Sequence, residues 1–335
     1  MNVGMHQARG EYITWTSDDN LYKRNAFSVM MNAMKILREI LVLGNRIYHH
    51  RDHTDFNIQR LIVFWLRGLR HQQDILALSH FFQAYSELRK IESGNAIFYE
   101  EATRQVFYYQ STLPERAWLI RSHFDFCRQY FSGDSLQAIY YDGRLPLWEE
   151  DSALGHLSLG LDFHYVDRKE GLMSIDLLLN EERLYHITFL FEQESHGSRL
   201  RIGAMQGCLG ARDSIHALTK AFFGFRPKNL ILHAIRLLAQ ELNIKDILAV
   251  SNLGFFTSNH VRLDRKLKTD LDCFWQENQG QELPTDPRFY ILPVTECRKP
   301  LAEVKSHKRS QYRKRYALLD SLDETFRQNL RTYLL

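Results

Sequence analysis

IGAMQGCLGARDSIHALTKAFFGFRPKNLILHAIRLLAQELNIKDILAVSN, the stretch Ile202–Asn252, decides the fold. Gly203, Gly207 and Gly210 punctuate a strand end that runs into a helical pattern. A turn with Gly224, Pro227 and Asn229 leads to a second helical pattern. The buried-strand run Ile247–Val250 follows, closed by Ser251 and Asn252. The first helix of such a strand–loop–helix unit opens with unpaired backbone N–H groups, and small residues let a ligand approach them. A ligand site is therefore expected at this turn.

Upstream, residues 157–167, 171–180, 183–194 and 198–207 read as four strands. The turns between them are polar and short enough for a continuous antiparallel meander. Before the first, Asp142-Gly143 lies between two short apolar runs and predicts a hairpin. From Tyr22 to about Phe131 apolar residues recur at three- and four-residue spacing, the pattern of helices. Asp55 is placed to cap the second of these and Pro114 to sit in the first turn of the third. Downstream, residues 253–287 read as a loop and a helix or irregular cover, and Phe289–Leu292 as a final strand. Pro300 is expected to open a long helix with the stripe Leu301, Val304, Tyr312, Tyr316, Leu319, Leu322 and Phe326. Lys305, Arg309 and Arg313 would stack on another face of it. The expectation is an α+β protein in three parts. Residues 1–20 form a loosely ordered N-terminus and 21–132 a helical region. Residues 133–335 form a mixed α/β domain whose sheet is mostly antiparallel and whose last helix is basic.

Composition narrows the class. The chain has 335 residues, 44% hydrophobic and 25% charged, which is ordinary for a soluble globular protein. A net charge of +3 is too small to imply nucleic acid by itself. Cys127, Cys208, Cys273 and Cys297 lie far apart with no CxxC pair, so neither a disulfide framework nor a zinc site is indicated. No apolar leader and no run long enough to span a membrane is visible, and the expected location is cytoplasmic, with peripheral attachment at the inner membrane as the variant. Two N-terminal features bear on that. Arg60–Arg70 sets Ile62, Val63, Phe64, Trp65 and Leu66 among Arg60, Arg67 and Arg70, a composition suited to a membrane interface. The expected reading is a core helix with arginines at its rim. His49, His50, Asp52 and His53 contain a histidine pair at i, i+4, read as a solvated helix end, and no metal is expected.

Several words in order make the chain resemble the VirK/YbjX family of bacterial proteins. They are Met205-Gln206-Gly207, Leu218-Thr219-Lys220, Gly224-Phe225-Arg226-Pro227-Lys228, Leu248-Ala249-Val250-Ser251-Asn252 and Phe274-Trp275. Lys305-Ser306 and the run from Tyr312 to Asp320 complete them, and the likeness covers roughly residues 30 to 326. It departs after Asn252, where Phe255-Phe256 intervene and His260-Val261 come late. The resemblance implies a role in virulence, envelope stress and resistance to cationic antimicrobial peptides.

Antiparallel strands, a glycine loop, a helix and a strand are also similar in order to the acyl-CoA N-acyltransferase fold. There, N–H groups at the helix start hold a pyrophosphate. Gln206, Gly207, Gly210 and Ala211 supply the small turn, although Leu209 stands where that fold's motif has glycine. The expected cofactor is acyl-CoA or acyl carrier protein. Ser251, Asn252, Arg226, Lys228, Arg309, Arg313 and Arg315 are the other candidate contacts to an anionic ligand. Glu192, Glu194 and His216 are the candidates for a general base, and His186 is read as a satisfied core histidine. Lys305–Arg315 holds six Lys/Arg. Nucleic-acid phosphate, lipid headgroups, a phosphorylated cofactor or water alone would suit it. No base-reading module is present, so sequence-specific DNA binding is not expected. Two functions follow as expectations: acyl transfer from a CoA- or carrier-linked donor, or non-catalytic binding of RNA, an anionic membrane surface or a partner protein.

Overall fold

Helices come first because the early segments carry apolar stripes and few β-branched runs. The computed structural model describes residues 26–49, 58–94, 96–194, 197–258 and 269–335. The first helices are α1 (Ala26–His49), α2 (Ile58–Arg70), α3 (Gln72–Ala84), α4 (Ser86–Gly94), α5 (Ile97–Thr103), α6 (Leu113–Tyr130) and α7 (Gly133–Gln137). The single helical pattern expected over 55–91 is broken at His71 (φ −117°, ψ 41°) and at Tyr85 (φ −120°, ψ 133°). Both breaks let successive stripes turn toward one core, where Phe82, Phe98 and Phe124 meet with centroids 4.8–5.7 Å apart. Burying each such ring contributes about 3 kcal/mol at most. The start of α6 is fixed by a capping box: Thr112 Oγ1 accepts from Glu115 N, and Glu115 accepts from Thr112 N. Asp55, His50, Asp52, His53 and His260-Val261 lie outside the described residues, as do 1–20.

Asp142-Gly143 does not make a hairpin. Ser132 caps α7, and the chain continues through a π-helical turn, Ala138–Asp142, that ends where Gly143 takes φ 110°. The apolar run before the dipeptide is helical because Ile139 and Tyr140 are buried there, with Tyr140 Oη donating to Leu172 O at 3.0 Å. The first strand begins only after it.

The strands are β1 (Leu145–Ser152), β2 (Gly155–Asp162), β3 (Met173–Leu179), β4 (Glu182–Glu194), β5 (Gly197–Gly207), β6 (Asp246–Val250), β7 (Gln281–Glu282) and β8 (Phe289–Leu292). They form one sheet of eight strands in the order β1-β2-β3-β4-β5-β6-β8-β7. Every neighbouring pair is antiparallel except β5 and β6, which run parallel. The expected meander is therefore present, and the α+β class holds. Helices α8 (Arg212–Ala221) and α9 (Pro227–Glu241) make the crossover between the parallel strands, and α10 (Leu271–Glu277) follows β6.

Strand β4 outruns β3, whose last partner is Phe189 opposite Met173. The exposed edge that would result is covered by α6. Phe191 N donates to His123 Nδ1 and Gln193 N to Ser122 Oγ. Helix α9 is buried almost all round and packs on β3, β4 and β5, with α11 (Arg309–Tyr333) lying over α9 and β1. His233 pins that seam, with Nδ1 2.9 Å from Glu296 and Nε2 2.6 Å from Asp323.

Two sequence expectations are corrected here. The long helix starts at Arg309 and not at Pro300, because Pro300 and Lys305 are extended (ψ 136° and 135°) around two short 3-10 turns. Lys305 therefore does not share a helix face with Arg309 and Arg313. The buried stripe of α11 is Leu319, Leu322, Phe326 and Leu330. Helix α2 is also no ordinary core helix: it buries Leu61, Phe64 and Gly68 but leaves Ile58, Ile62, Val63 and Leu66 exposed. Among the described residues, no helix is long and apolar enough to cross a membrane.

Candidate functional site

Strands β5 and β6 part company half-way along β5. They pair from Arg199↔Asp246 to Ile202↔Ala249 and no further. Beyond that point β6 stays with β8, through Val250↔Phe289 and the bond from Ser251 N to Arg288 O at 2.8 Å. Strand β5 stays with β4 through Gly207↔Tyr185. The register of β4 and β5 slips between Thr188 and Phe189, which leaves Gly203 as the extra residue of a bulge. A Cβ at Gly203 would overlap the carbonyl oxygen of Glu170, so the loop between β2 and β3 rests directly on this backbone. The Phe107–Tyr109 segment bridges one side of the opening: Phe107 N donates to Lys169 O and Tyr109 N to Gly254 O. At the far end of β5 the turn to α8 faces solvent. Leu209 is 98% exposed, Gly210 takes φ 83°, and Ala211 gives the helix no side-chain cap.

Next to the parted strands lies a row of buried and half-buried polar side chains. Asp176 on β3 is opposite His186 on β4, which is opposite Gln206 on β5. The loop after β2 adds His164, Asp167 and Glu170. Gln206 Nε2 donates to Glu170 Oε1 at 2.5 Å, and Arg183 Nη1 reaches Asp167 Oδ2 at 2.6 Å. His164 Nε2 lies 2.5 Å from Asp176 Oδ2 and 3.2 Å from Asp162 Oδ2. Several atoms are left over. Glu170 Oε2, Asp176 Oδ1 and both ring nitrogens of His186 are buried with no hydrogen bond. Such atoms cost free energy, so their retention asks for a reason other than stability.

Burial, helped by the charge of Asp167, pushes the Glu170 carboxyl up to about 8, so it is a neutral acid at pH 7. Burial lowers His186 against the pull of Asp167, whose Oδ1 is 3.8 Å from Nε2, and leaves a neutral imidazole. Burial also acts to raise Asp176, but the His164 bond and charge outweigh it and hold that carboxyl below its ordinary range. A neutral base on β4 and a neutral acid in the loop after β2 thus belong to one polar row, a pairing suited to proton transfer.

Asp162, His164 and Asp176 bring three ligand atoms within 4.8 Å of one another and are the residues with which a cation could be held. Arg183 Nη1, however, is 3.5 Å from Asp176 Oδ2, the oxygen such an ion would need. The chemistry of this donor set is better described as an ion-pair network.

The residues singled out in the sequence fall in several places. Gln206 is in the polar row, and Gly207, Gly210 and Ala211 form the solvent-facing turn. Ser251 and Asn252 are spent on loop structure: Ser251 Oγ donates to Pro287 O, while Asn252 joins Asp270 to Leu271 N. Arg226 pairs with Glu277 at 2.6 Å, and Lys228 lies 4.5 Å over the Phe274 ring. Arg315 donates to Phe223 O, at the C-terminal end of α8. That helix has ten residues, so these groups are roughly 15 Å from the glycine turn at its start. Arg309 folds back on Val304 O and Ala302 O, and Arg313 is exposed. Glu192 is buried and ion-paired with Arg201, Glu194 pairs with Arg199 at 2.7 Å, and His216 is exposed on α8. The structure does not bring these three together. His186 is buried, as expected of a core histidine, but it is not satisfied.

Comparison with known proteins agrees with the words quoted from the sequence. The profile of the family described as "Protein of unknown function (DUF535)" matches residues 55–328, most of the chain. An Escherichia coli (strain K12) protein, "Uncharacterized protein YbjX", is 31% identical over 210 residues, 61% of this chain and 63% of that protein. The chain belongs to the VirK/YbjX family. Two "Uncharacterized protein" relatives from Haemophilus influenzae are 32% identical over 171 residues, 50% of this chain and 55% of theirs, and 28% over 193 residues, 55% and 63%. The chain spans less than two thirds of the length of these curated relatives. No solved structure matches.

Proposed function

We propose that this VirK/YbjX protein transfers an acyl group from a CoA- or carrier-linked thioester, in the service of envelope adaptation, virulence and antimicrobial-peptide resistance. The parting of β5 from β6 carries the reading. A single parallel pair that opens at a glycine bulge leaves the β5 edge beyond Ile202 without its β6 partner, the place for a thioester arm, and the uncapped start of α8 can take its phosphates. The acceptor nucleophile attacks the thioester carbonyl carbon and passes its proton to His186. The carbon–sulfur bond then breaks, and the departing thiolate takes a proton from Glu170. Opening of the loop that carries Glu170 admits the acceptor. The test is melting temperature and product formation with acyl-CoA and acyl carrier protein donors. Stabilisation by one donor, with transfer lost in His186→Ala while stabilisation remains, is expected. No stabilisation and no donor consumption would remove the reading.

The placement of Arg309, Arg313 and Arg315 away from the glycine turn favours a second reading, non-catalytic binding of RNA, lipid or a partner protein through α11. Steeply salt-dependent RNA or vesicle binding, lost in Arg309→Glu/Arg313→Glu, supports it. Binding indifferent to salt counts against it.

A further inference from the structure

Among the described residues, more than half of the large apolar side chains left in solvent lie on α1 and α2. Leu66 is 64% exposed and Ile58 57%, with Ile62 a turn between them. Met30, Met34 and Leu37 are exposed on α1 at helical spacing. These residues share one surface. The helices touch through Gly44, set against Trp65 and Leu61, and through Gly68, set against Ile40. From that seam α1 turns Ile40, Leu43 and Ile47 inward, and α2 turns Leu61 and Phe64 inward. At about 100° per residue, Met30, Met34 and Leu37 of α1 and Ile58, Ile62 and Leu66 of α2 then fall on one side, turned from the core. A patch of this kind on a folded protein marks an interaction surface.

Charge decides what the patch meets. Lys35, Arg38, Arg60, Arg67 and Arg70 outnumber the single acid Glu39 on these helices, and α2 has no acid at all, while Arg46 is paired with Glu92 at 2.7 Å and Arg67 also donates to Thr103 O. A second copy of the chain would bring like charges face to face. An anionic surface of fluid apolar interior instead accepts the side chains and pairs the rim, as amphipathic helices do at lipid interfaces.

We propose that the α1–α2 face seats this protein on an anionic lipid bilayer, lying in the headgroup plane without crossing it. The seat is independent of the transfer reaction and distinct from the basic start of α11. Leu66 and Ile62 are the anchors, and the exposed Lys35 and Arg70 stand on the charge rim.

Vesicle flotation of the full chain tests this, with pure phosphatidylcholine and with equal parts phosphatidylcholine and phosphatidylglycerol. The wild type should float with the anionic vesicles and not with the neutral ones, and high salt should release it. Ile62→Glu/Leu66→Glu should cut the bound fraction more than tenfold with an unchanged melting temperature, since both side chains are exposed. Lys35→Glu/Arg70→Glu should weaken binding several-fold and flatten the salt dependence. Equal flotation with both vesicles overturns the proposal. So does absence of flotation in a protein that sediments as a dimer and becomes monomeric in Ile62→Glu/Leu66→Glu, which would make the face a self-association surface. Loss of flotation in Arg313→Glu/Lys314→Glu, with no loss in the α2 variant, also overturns it.

Discussion

The seam between α9 and α11 and the polar row beside β5 each bury a histidine among carboxylates, and they treat it in opposite ways. His233 is bonded through both nitrogens, to Glu296 and to Asp323. His186 is equally buried, and neither of its ring nitrogens makes a hydrogen bond among the described residues. The first arrangement holds two helices together. The second is left with unsatisfied atoms on two strands and the loop after β2, next to the place where the sheet opens. Identical chemistry at equal depth therefore holds structure together in one region and, on the function proposed above, is kept for proton transfer in the other.

The sharpest way to break this contrast is to remove each group. His233→Ala strips two carboxylates of their shared partner and should cost about 3 kcal/mol or more, read by urea denaturation. Gly203→Ala comes next, at about 1–3 kcal/mol, because its Cβ overlaps the Glu170 carbonyl and the loop must move. His186→Leu should change stability by no more than about 1 kcal/mol, since it removes two unsatisfied nitrogens at similar volume, while abolishing transfer. A large loss in His186→Leu would make that histidine structural and erase the contrast.

The pH dependence sharpens it further. The Glu170 carboxyl moves from its ordinary 4.5 to about 8 on folding. A group held above its unfolded value contributes stability that is complete below the unfolded pKa and is lost as pH rises through the folded one. Stability should therefore fall between about pH 4.5 and 8, and Glu170→Gln should flatten that fall in melts across the range. His233 is raised too, because its two carboxylate bonds outweigh burial, so it adds a loss in the same direction that Glu170→Gln leaves in place.

Much of the fold was legible because strands announce themselves locally. Strand-like runs separated by short polar turns located β2 to β5, and Phe289–Leu292 and Ile247–Val250 lie where the short apolar runs put them. Local signals misled where tertiary burial overrode them. Asp142-Gly143 terminates a helical turn because Tyr140 is anchored to Leu172, and α2 shows its apolar side because α1 occupies the other. The site was half visible. Gln206, Gly207, Gly210 and Ala211 are neighbours in sequence and remain so in space. Asp176, His186 and Gln206 stand on three successive strands and meet only through strand register, which no single segment reveals. The available hint was density: Asp162, His164, Asp167, Arg168, Lys169 and Glu170 crowd one inter-strand turn. Arg315 could not be placed from sequence, because its distance from the glycine turn depends on which end of α8 the last helix reaches.

The central claim is that the opened strand binds a thioester donor, and backbone amide resonances test it most directly. On addition of acyl-CoA or acyl carrier protein, shifts should concentrate at Gly203–Ala211 and in the first turn of α8, with α11 unmoved. Amides of Gly203–Ala211 that stay in place under saturating donor, or shifts confined to the start of α11, would contradict it.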